Sequence, residues 1–315
     1  MIKPVVYKAE RMNVKASIQI EGLTGTGKTG LALALAYSLA GKAWDKVGFN
    51  DTENRSSNLY VGIPLHTGVK VEQFQKTDLE SKDGFAPENY IACTDALIKS
   101  GATVVVHDSI THAWQRVGAV LDMVNEVEGS GNKNAYTAWG DPKVRKNKDL
   151  LFDMLRDNRC HVITTVRVKE KYGLELDPTT GKNKVISLGE QQQTQDGIKY
   201  EPDLVLHMVE PGTKDRAPIA RIIKTRYPMF EKDQEYEFTA EIIDSIKEYL
   251  EQGTDPAVLI ERQLQSYRDE IIKICKADPV KKVIYDNNKK QMGLASTKIN
   301  DLSLVELKQL YSVIT

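Results

Sequence analysis

The order of apolar and polar positions along the chain predicts short strands that alternate with helices. Runs of β-branched and apolar residues indicate strands, and longer stretches with apolar residues at helical spacing indicate helices. The predicted strands are residues 16–20, 46–49, 69–74, 103–107, 160–166, 204–209, 218–223 and 236–239. The predicted helices are residues 28–40, 87–99, 111–126, 146–159, 241–251, 256–276 and 304–313. This alternation is typical of an α/β fold with a mostly parallel sheet between helices.

The pattern changes twice in the second half of the chain. Residues 169–202 are polar and rich in Gly, Lys and Gln, which predicts a long loop. From residue 241 onward the pattern is helical only. We therefore expect residues 1–240 to form the α/β core and residues 241–315 to form a small helical appendage.

Composition narrows the class of protein. The 43 Lys and Arg residues nearly balance the 44 Asp and Glu residues, so any basic surface for nucleic acid must be local. The longest uncharged apolar run, residues 31–40, is about half a membrane span, and the amino terminus has no apolar segment typical of a signal peptide. We expect a cytoplasmic protein with no membrane partner. The three cysteines lack metal-ligand spacing, which favours buried thiols.

The sequence GLTGTGKT, residues 22–29, matches the phosphate-binding pattern GxxxxGK[ST] and lies between a predicted strand and a predicted helix. Glycines let successive N–H groups point at an anion, and the start of the helix adds its positive dipole. Lys28 can reach the β- and γ-phosphates of ATP, and the Thr29 hydroxyl can ligate Mg²⁺. The expected nucleotide-binding residues are Gly22, Thr24, Gly25, Thr26, Gly27, Lys28 and Thr29.

Asp108 follows the apolar strand predicted at residues 103–107. The carboxyl ends of parallel strands form the ligand-binding edge of such a sheet, so Asp108 can hold Mg²⁺ directly or through water. The next residue is Ser109, so a base that activates water must come from elsewhere. Asp51 and Glu53 follow another short strand at the same edge, and the residue pattern alone leaves the choice between them open.

Four segments resemble the RecA family, and more closely the RecA-like single-strand annealing ATPases of phages. They are GLTGTGKT at 22–29, FNDTEN at 49–54, VVVHDS at 104–109 and RIIKTR at 221–226. The similarity covers about residues 14–240 and implies a RecA-like P-loop NTPase core. The second segment ends in the catalytic glutamate of the family, which places that role on Glu53.

The resemblance also implies partners. The fourth segment corresponds to a late strand whose two basic residues, here Lys224 and Arg226, reach the ATP of a neighbouring subunit. It therefore implies a homo-oligomer, either a ring or a filament, that binds single-stranded DNA. RecA proteins carry an Asn-Gln pair whose glutamine senses γ-phosphate, and Thr164 and Thr165 occupy those positions here. A threonine is too short to replace that amide, so coupling of ATP state to DNA binding is either absent or carried by another residue.

The first DNA-binding loop of the family corresponds to residues 129–148, where cations are interleaved with aromatic residues. The candidate DNA-binding residues are Lys133, Tyr136, Trp139, Lys143, Arg145 and Lys146. A solvated loop with a packed tryptophan explains the same pattern. The second candidate loop is residues 169–200, whose glutamates and glutamines make it weaker.

Together these features favour a Mg-ATP-dependent ATPase that acts on single-stranded DNA in recombination or annealing. Lys28 and Mg²⁺ would neutralise the phosphates, Glu53 would orient water, and Lys224 and Arg226 of a neighbour would stabilise developing charge. Two other interpretations stay open. One is a helicase-type motor, and the other is a nucleotide switch or loader that recruits a single-strand-binding or replication protein through residues 241–315.

Overall fold

The computed structural model describes residues 9–130, 134–176, 183–213 and 215–315. Contacts divide the chain into two compact units. One unit is residues 15–250, and the other is residues 251–315 together with residues 9–14. Within the described ranges, no helix has both the length and the apolar character needed to cross a bilayer.

The larger unit is built on one sheet. Its strands are β1 (Ser17–Gly22), β2 (Val47–Asp51), β3 (Gln75–Asp78), β4 (Val104–Asp108), β5 (His161–Leu176), β6 (Asn183–Gln192), β7 (Leu204–Glu210), β8 (Ile219–Thr225) and β9 (Glu235–Glu237). Their order is β3-β2-β4-β5-β1-β7-β8-β9, with β6 paired to β5. The pairs from β3 to β7 are parallel, and the pairs of β6, β8 and β9 are antiparallel. The predicted α/β fold with a mostly parallel sheet is confirmed.

Helices pack on both faces of this sheet. They are α1 (Lys28–Leu39), α2 (Pro87–Lys99), α3 (Thr111–Gln115), α4 (Val120–Gly129), α5 (Ala135–Ala138), α6 (Pro142–Asp153) and α7 (Ala240–Leu250). Val104 and Val106 pack in the apolar cluster that contains α1 and α7, whereas Val105 packs with Leu97 of α2. The side chains of successive strand residues point to opposite faces of the sheet. Helices α1 and α7 therefore cover one face, and α2 covers the other.

The register of the parallel strands gathers four strand ends at one edge. Gly22 at the end of β1 lies beside Arg167 of β5, and Asp51 at the end of β2 lies beside Asp108 of β4. β5 separates β4 from β1. Side chains that follow β1, β2 and β4 therefore meet around the end of the parallel part of β5.

The second unit is helical. Its helices are α8 (Pro256–Ala277), α9 (Pro279–Gln291) and α10 (Leu304–Ile314). Its core contains Tyr267, Ile271, Tyr285, Leu307 and Leu310. A capping box of Ser303 with Glu306 starts α10, because the Ser303 side chain accepts from the Glu306 amide while the Glu306 side chain accepts from the Ser303 amide. Helix α9 was not among the predicted helices.

The division between the units follows α7 rather than residue 240. Ile243, Ile246 and Leu250 of α7 are buried in the apolar cluster of the larger unit. The Ser38 hydroxyl of α1 donates a 2.6 Å hydrogen bond to Asp244. Residues 240–250 are therefore part of the α/β unit, whereas the sequence pattern assigned most of them to the helical appendage.

A strand, a helix and a loop are among the predicted elements that differ from the structure. The strand expected at residues 69–74 lies at Gln75–Asp78, where Gln75 pairs with Gly48 of β2. The helix expected at 111–126 is divided into α3 and α4, because Gly118 has a φ of 73° and its N–H donates to Asp122 at the start of α4. The loop expected at 169–202 contains the end of β5 and all of β6.

Candidate active site

The turn between β1 and α1 carries the GLTGTGKT segment at the carboxyl edge of the sheet. A Cβ at Gly22 would lie 2.8 Å from the Thr26 hydroxyl oxygen, so no larger residue fits there. Gly25 and Gly27 have φ values of 84° and 83°, which residues with a Cβ rarely adopt. Thr24 is exposed in the same turn. With the unpaired N–H groups at the start of α1, this turn forms a concavity suited to an anion.

The Lys28 ammonium lies inside this turn. Its Nζ donates to the backbone oxygens of Gly22 at 3.0 Å and Leu23 at 2.7 Å, and the residue is only 9% exposed. Burial lowers the pKa of Lys28, and the Asp108 carboxylate acts in the opposite direction. A buried cation bound to neutral carbonyls can turn to an anionic phosphate at low cost.

Asp108 joins the turn through Thr29. The Thr29 hydroxyl donates a 2.6 Å hydrogen bond to Asp108 Oδ2, and the Thr165 hydroxyl donates to Oδ1. Burial raises the pKa of Asp108, and the two hydroxyl donors partly oppose that effect. Hydroxyl and carboxylate oxygens are ligands that Mg²⁺ accepts. Thr29 and Asp108, expected as metal ligands from separate segments, are thus in direct contact.

Asp51 and Glu53, the two candidate bases between which the sequence pattern could not choose, have different surroundings in the turn after β2. Asp51 is buried and accepts hydrogen bonds from Ser57 N at 3.0 Å and Ser57 Oγ at 2.5 Å. Burial alone would raise the pKa of Asp51, but these bonds and the Lys76 ammonium hold it below its usual value. Asp51 also accepts the Glu53 N–H at 2.8 Å. Asp51 therefore stabilises the turn that presents Glu53.

Glu53 faces the phosphate turn. Its charge acts on both Lys28 and Asp108, which raises the pKa of each. Asn54 and Arg55, which follow it, both have positive φ values, of 55° and 64°. Two consecutive left-handed residues without glycine are rare and occur at functional turns.

Arg167 is a site residue that the sequence pattern did not reveal. Its Nε donates a 2.9 Å hydrogen bond to Glu53 Oε1, and its Nη2 donates to Oε2. It lies at the end of the parallel part of β5, opposite Gly22. One signal in the sequence could have identified it. Arg167 is a cation two positions after Thr165, and it follows a predicted strand at the same edge of the sheet as Asp108.

Two buried polar atoms near Asp108 have no hydrogen-bond partner in the described part of the chain, Ser109 Oγ and His112 Nε2. His112 Nε2 lies 3.7 Å from Glu53 Oε1, and burial lowers the pKa of the ring, which favours its neutral form. Unpaired buried polar atoms beside carboxylates suit a site that binds water or a hydrated cation. The residues present therefore fit a magnesium nucleotide.

Lys224 and Arg226 lie far along the sheet from this turn. Lys224 pairs with Val205 near the start of β7, whereas the phosphate turn follows the end of β1, and β1 and β7 are parallel. The Lys224 ammonium donates to the Pro202 carbonyl at 2.5 Å, and Arg226 forms a 2.7 Å ion pair with Asp203. Because both cations are at the other edge, any contact with nucleotide requires a second subunit.

The predicted first DNA-binding loop is largely helical. Asp141 caps α6 by accepting the N–H of Lys143 at 2.9 Å, so the helix starts before the residue 146 expected from the sequence. The candidate cations on α6 are Lys143, Arg145 and Lys146. Lys143 and Lys146 form exposed ion pairs with acidic residues, and Tyr136 is 89% exposed. Lys133 lies outside the described residues.

A cavity of about 510 Å³ joins the two candidate DNA loops. Trp139 stacks on Trp114, with ring centroids 5.9 Å apart and planes inclined by 25°. Lys148 of α6 and Lys169 of β5 line the same cavity, together with polar residues 191–196. Aromatic rings, lysines and amides thus line a single groove on this unit.

Comparison with known proteins assigns the family. The family model AAA_24, described as an AAA domain, matches residues 14–237, which is most of the chain. The chain belongs to the AAA_24 family. A KaiC-like protein, PH0186 from the hyperthermophilic archaea Pyrococcus horikoshii OT3, matches with a TM-score of 0.40 and 17% identity, over 71% of this chain and 84% of that chain. Curated proteins give no match.

The AAA_24 match covers the phosphate turn, Asp108 and Glu53. The protein is thus a nucleotide-binding P-loop NTPase of the AAA_24 family with a mostly parallel α/β core and carboxyl-terminal helices. Helices α8, α9 and α10 lie beyond the matched residues of the AAA_24 domain.

Proposed function

We propose that this AAA_24 protein hydrolyses Mg-ATP as a ring or filament and acts on single-stranded DNA in recombination or annealing. The observation that carries the proposal is the 2.6 Å contact of the Thr29 hydroxyl with Asp108, beside the buried Lys28 ammonium. It joins the phosphate turn after β1 to the end of β4, two strands away, in the arrangement that P-loop nucleotide hydrolysis requires.

The chain's own residues divide the work at the nucleotide. Mg²⁺, when bound, would neutralise phosphate charge and fix the phosphate oxygens. Thr29 and Asp108 would hold it, and the unpaired Ser109 hydroxyl offers a further buried oxygen near Asp108. Lys28 would exchange its carbonyl acceptors for the β- and γ-phosphates.

Glu53 is the proposed general base. In hydrolysis the water oxygen bonds to the terminal phosphorus, the bond from that phosphorus to the bridging oxygen breaks, and ADP leaves with the bridging oxygen. The water proton passes to the Glu53 carboxylate and from there to bulk water, so that ATP and water give ADP, phosphate and a proton. Asp51 is the weaker candidate for this role, because its oxygens accept bonds from Ser57 and Glu53.

The proposed assembly has a direct test in Lys224→Ala/Arg226→Ala. Because these cations lie away from their own phosphate turn, we expect the turnover of the native protein to rise with protein concentration. The double variant should stay about 100-fold lower at saturating concentration, since it lacks the donors that stabilise transition-state charge. The measurement is ATPase rate against protein concentration, with and without single-stranded DNA.

Mixing two inactive variants decides whether these cations act across an interface. Subunits with Glu53→Gln keep Lys224 and Arg226, and subunits with Lys224→Ala/Arg226→Ala keep Glu53. An equal mixture should recover part of the native turnover, because one subunit type completes the site of the other. A mixture no more active than its components would contradict a role in a neighbouring site.

The DNA part of the proposal is supported by the cavity between α6 and β5. Stacking rings and lysines suit a single strand, because bases stack on aromatic faces and phosphates pair with cations. Lys148→Ala/Lys169→Ala should weaken binding of an oligo-dT and reduce the slope of log affinity against log salt by about 1.4. Lys281→Ala/Lys282→Ala on α9 is the matched control. An unchanged slope in the cavity variant would place the DNA site elsewhere.

Two outcomes would favour the other interpretations. ATP-dependent displacement of a paired strand would indicate a helicase-type motor instead of an annealing protein. ATP binding with negligible turnover, with or without single-stranded DNA, would indicate a nucleotide switch or loader. Annealing of complementary strands that depends on ATP and protein concentration is the result that the proposal expects.

A further inference from the structure

Arg167 engages both oxygens of the proposed catalytic carboxylate. The guanidinium donates from Nε to Glu53 Oε1 at 2.9 Å and from Nη2 to Oε2. The two side chains are 30% and 21% exposed, so the pair is partly shielded from water. Two parallel N–H bonds from one guanidinium form the strongest geometry available to a carboxylate.

The backbone of Arg167 is fixed while its side chain is not buried. Its N–H donates a 2.9 Å hydrogen bond to the Thr111 hydroxyl, at the start of the helix that follows Asp108. Gly22, the first residue of the phosphate turn, is its partner in the β1–β5 register. The charge of Arg167 also acts on Lys28, where it lowers the pKa after the larger effect of burial. Arg167 on β5 therefore lies beside the phosphate turn that contains Lys28.

The threonines that precede Arg167 on β5 already have partners. Thr165 donates to Asp108, and the Thr164 hydroxyl lies 3.4 Å from the Ile18 carbonyl oxygen. His112 also approaches Glu53, at 3.7 Å, but burial lowers its pKa and favours the neutral ring. Arg167 is thus the cation that neutralises Glu53 within the described residues.

A carboxylate held in this way is a poor base. Each oxygen already accepts a charge-assisted bond from Arg167, so it is less available to a proton of water. A terminal phosphate presents more negative charge than a carboxylate and accepts the same fork of guanidinium donors. A triphosphate in the turn therefore competes with Glu53 for Arg167.

We infer that Arg167 is a positioning residue that pairs with Glu53 in the nucleotide-free protein and transfers its guanidinium to the terminal phosphate of bound ATP. The transfer releases Glu53 to accept a proton from water only when a terminal phosphate is present. ADP lacks that phosphate, so it leaves the pair closed. This inference rests on the proposed hydrolase function and identifies a residue that distinguishes ATP from ADP where Thr164 and Thr165 are too short.

Nucleotide affinities test the transfer. Arg167→Ala should weaken binding of a non-hydrolysable ATP analogue about tenfold or more and change ADP affinity less than about threefold, because one charge-assisted contact to the terminal phosphate is lost. Arg167→Lys keeps the positive charge but lacks the paired N–H donors of a guanidinium. It should therefore recover only part of the preference for the ATP analogue over ADP. Arg159→Ala, an exposed arginine paired with Asp157, is the matched control. Equal weakening of both nucleotides, or no change in either, would overturn the inference.

Thermal stability tests the closed pair. In the nucleotide-free protein, the shifts in Tm of Arg167→Ala and Glu53→Gln should not add in the double variant, because each single change already removes the pair. With the ATP analogue bound, the shifts should become additive. Additive shifts without nucleotide would contradict the pair, and non-additive shifts with the analogue would contradict the transfer. If the native protein binds no ATP, the proposed function fails. If the native protein hydrolyses ATP but Arg167→Ala keeps the native preference for the ATP analogue over ADP, only this inference fails.

Discussion

Glu53→Gln should lower the kcat of ATP hydrolysis about 1,000-fold without weakening nucleotide binding, because a general base contributes about 10²–10⁴-fold. Glutamine keeps the shape of the side chain but lacks the second oxygen and the charge that pair with Arg167, and it cannot take a proton from water. The carboxylate of Glu53 accepts a bond from Arg167, whose partner in the β1–β5 register is Gly22 at the start of the phosphate turn. Single-turnover hydrolysis and binding of an ATP analogue separate the two effects.

Two carboxylates serve as controls for this result. Glu80→Gln removes an acidic group that pairs with Arg55 at 2.8 Å outside the site, and it should keep native turnover. Asp51→Asn should lower Tm, because Asp51 accepts the bonds that hold the turn before Ser57. Two results together would reassign the base to Asp51. They are native turnover in Glu53→Gln and a loss of turnover in Asp51→Asn that is larger than the loss of folded protein in that variant.

The turn at residues 22–29 and the position of Asp108 at the end of its strand could be predicted because local chemistry determines them. Gly22 has no room for a side chain beside Thr26, so the glycine pattern reports the backbone path directly. Asp108 ends a strand that is buried along its whole length, and an acidic residue there lies at the ligand-binding edge. Helix α1 could also be predicted from the sequence, because residues Leu31 to Ala36 are all apolar and all buried.

Other features depend on pairing between distant segments, which local pattern does not contain. Residues after Arg167 form a strand because they pair with β6, where Lys169 lies beside Gln191, and both segments are polar enough to suggest a loop. Helix α9 was missed because Tyr285 is its one buried residue, so it has no apolar stripe at helical spacing. Arg167 was missed for a related reason, since its partner Glu53 is far away in the chain.

Lys28→Ala should weaken ATP binding about 1,000-fold, because hydrogen bonds to charged groups contribute about 1.5–3 kcal/mol each and a triphosphate would use more than one. In the structure the ammonium donates to the Gly22 and Leu23 carbonyls inside the turn. Its removal leaves the anionic phosphates opposite Asp108 and Glu53 with one cation fewer. The measurement is affinity for ATP and for ADP by titration calorimetry, and both should fall, since the β-phosphate is common to the two.

A second variant separates this loss from misfolding. Burial lowers the pKa of Lys28 in the folded protein, so below that value the charge is present in both states and costs folding free energy. Lys28→Met keeps the apolar stem and removes the charge, so the nucleotide-free protein should melt no earlier than native while binding is lost. Lys28→Arg should also lose affinity, because a guanidinium fork does not fit a position that is only 9% exposed. ATP affinity near native in the Met variant would show that the phosphates bind away from Lys28, and the assignment of the turn as the nucleotide site would then be wrong.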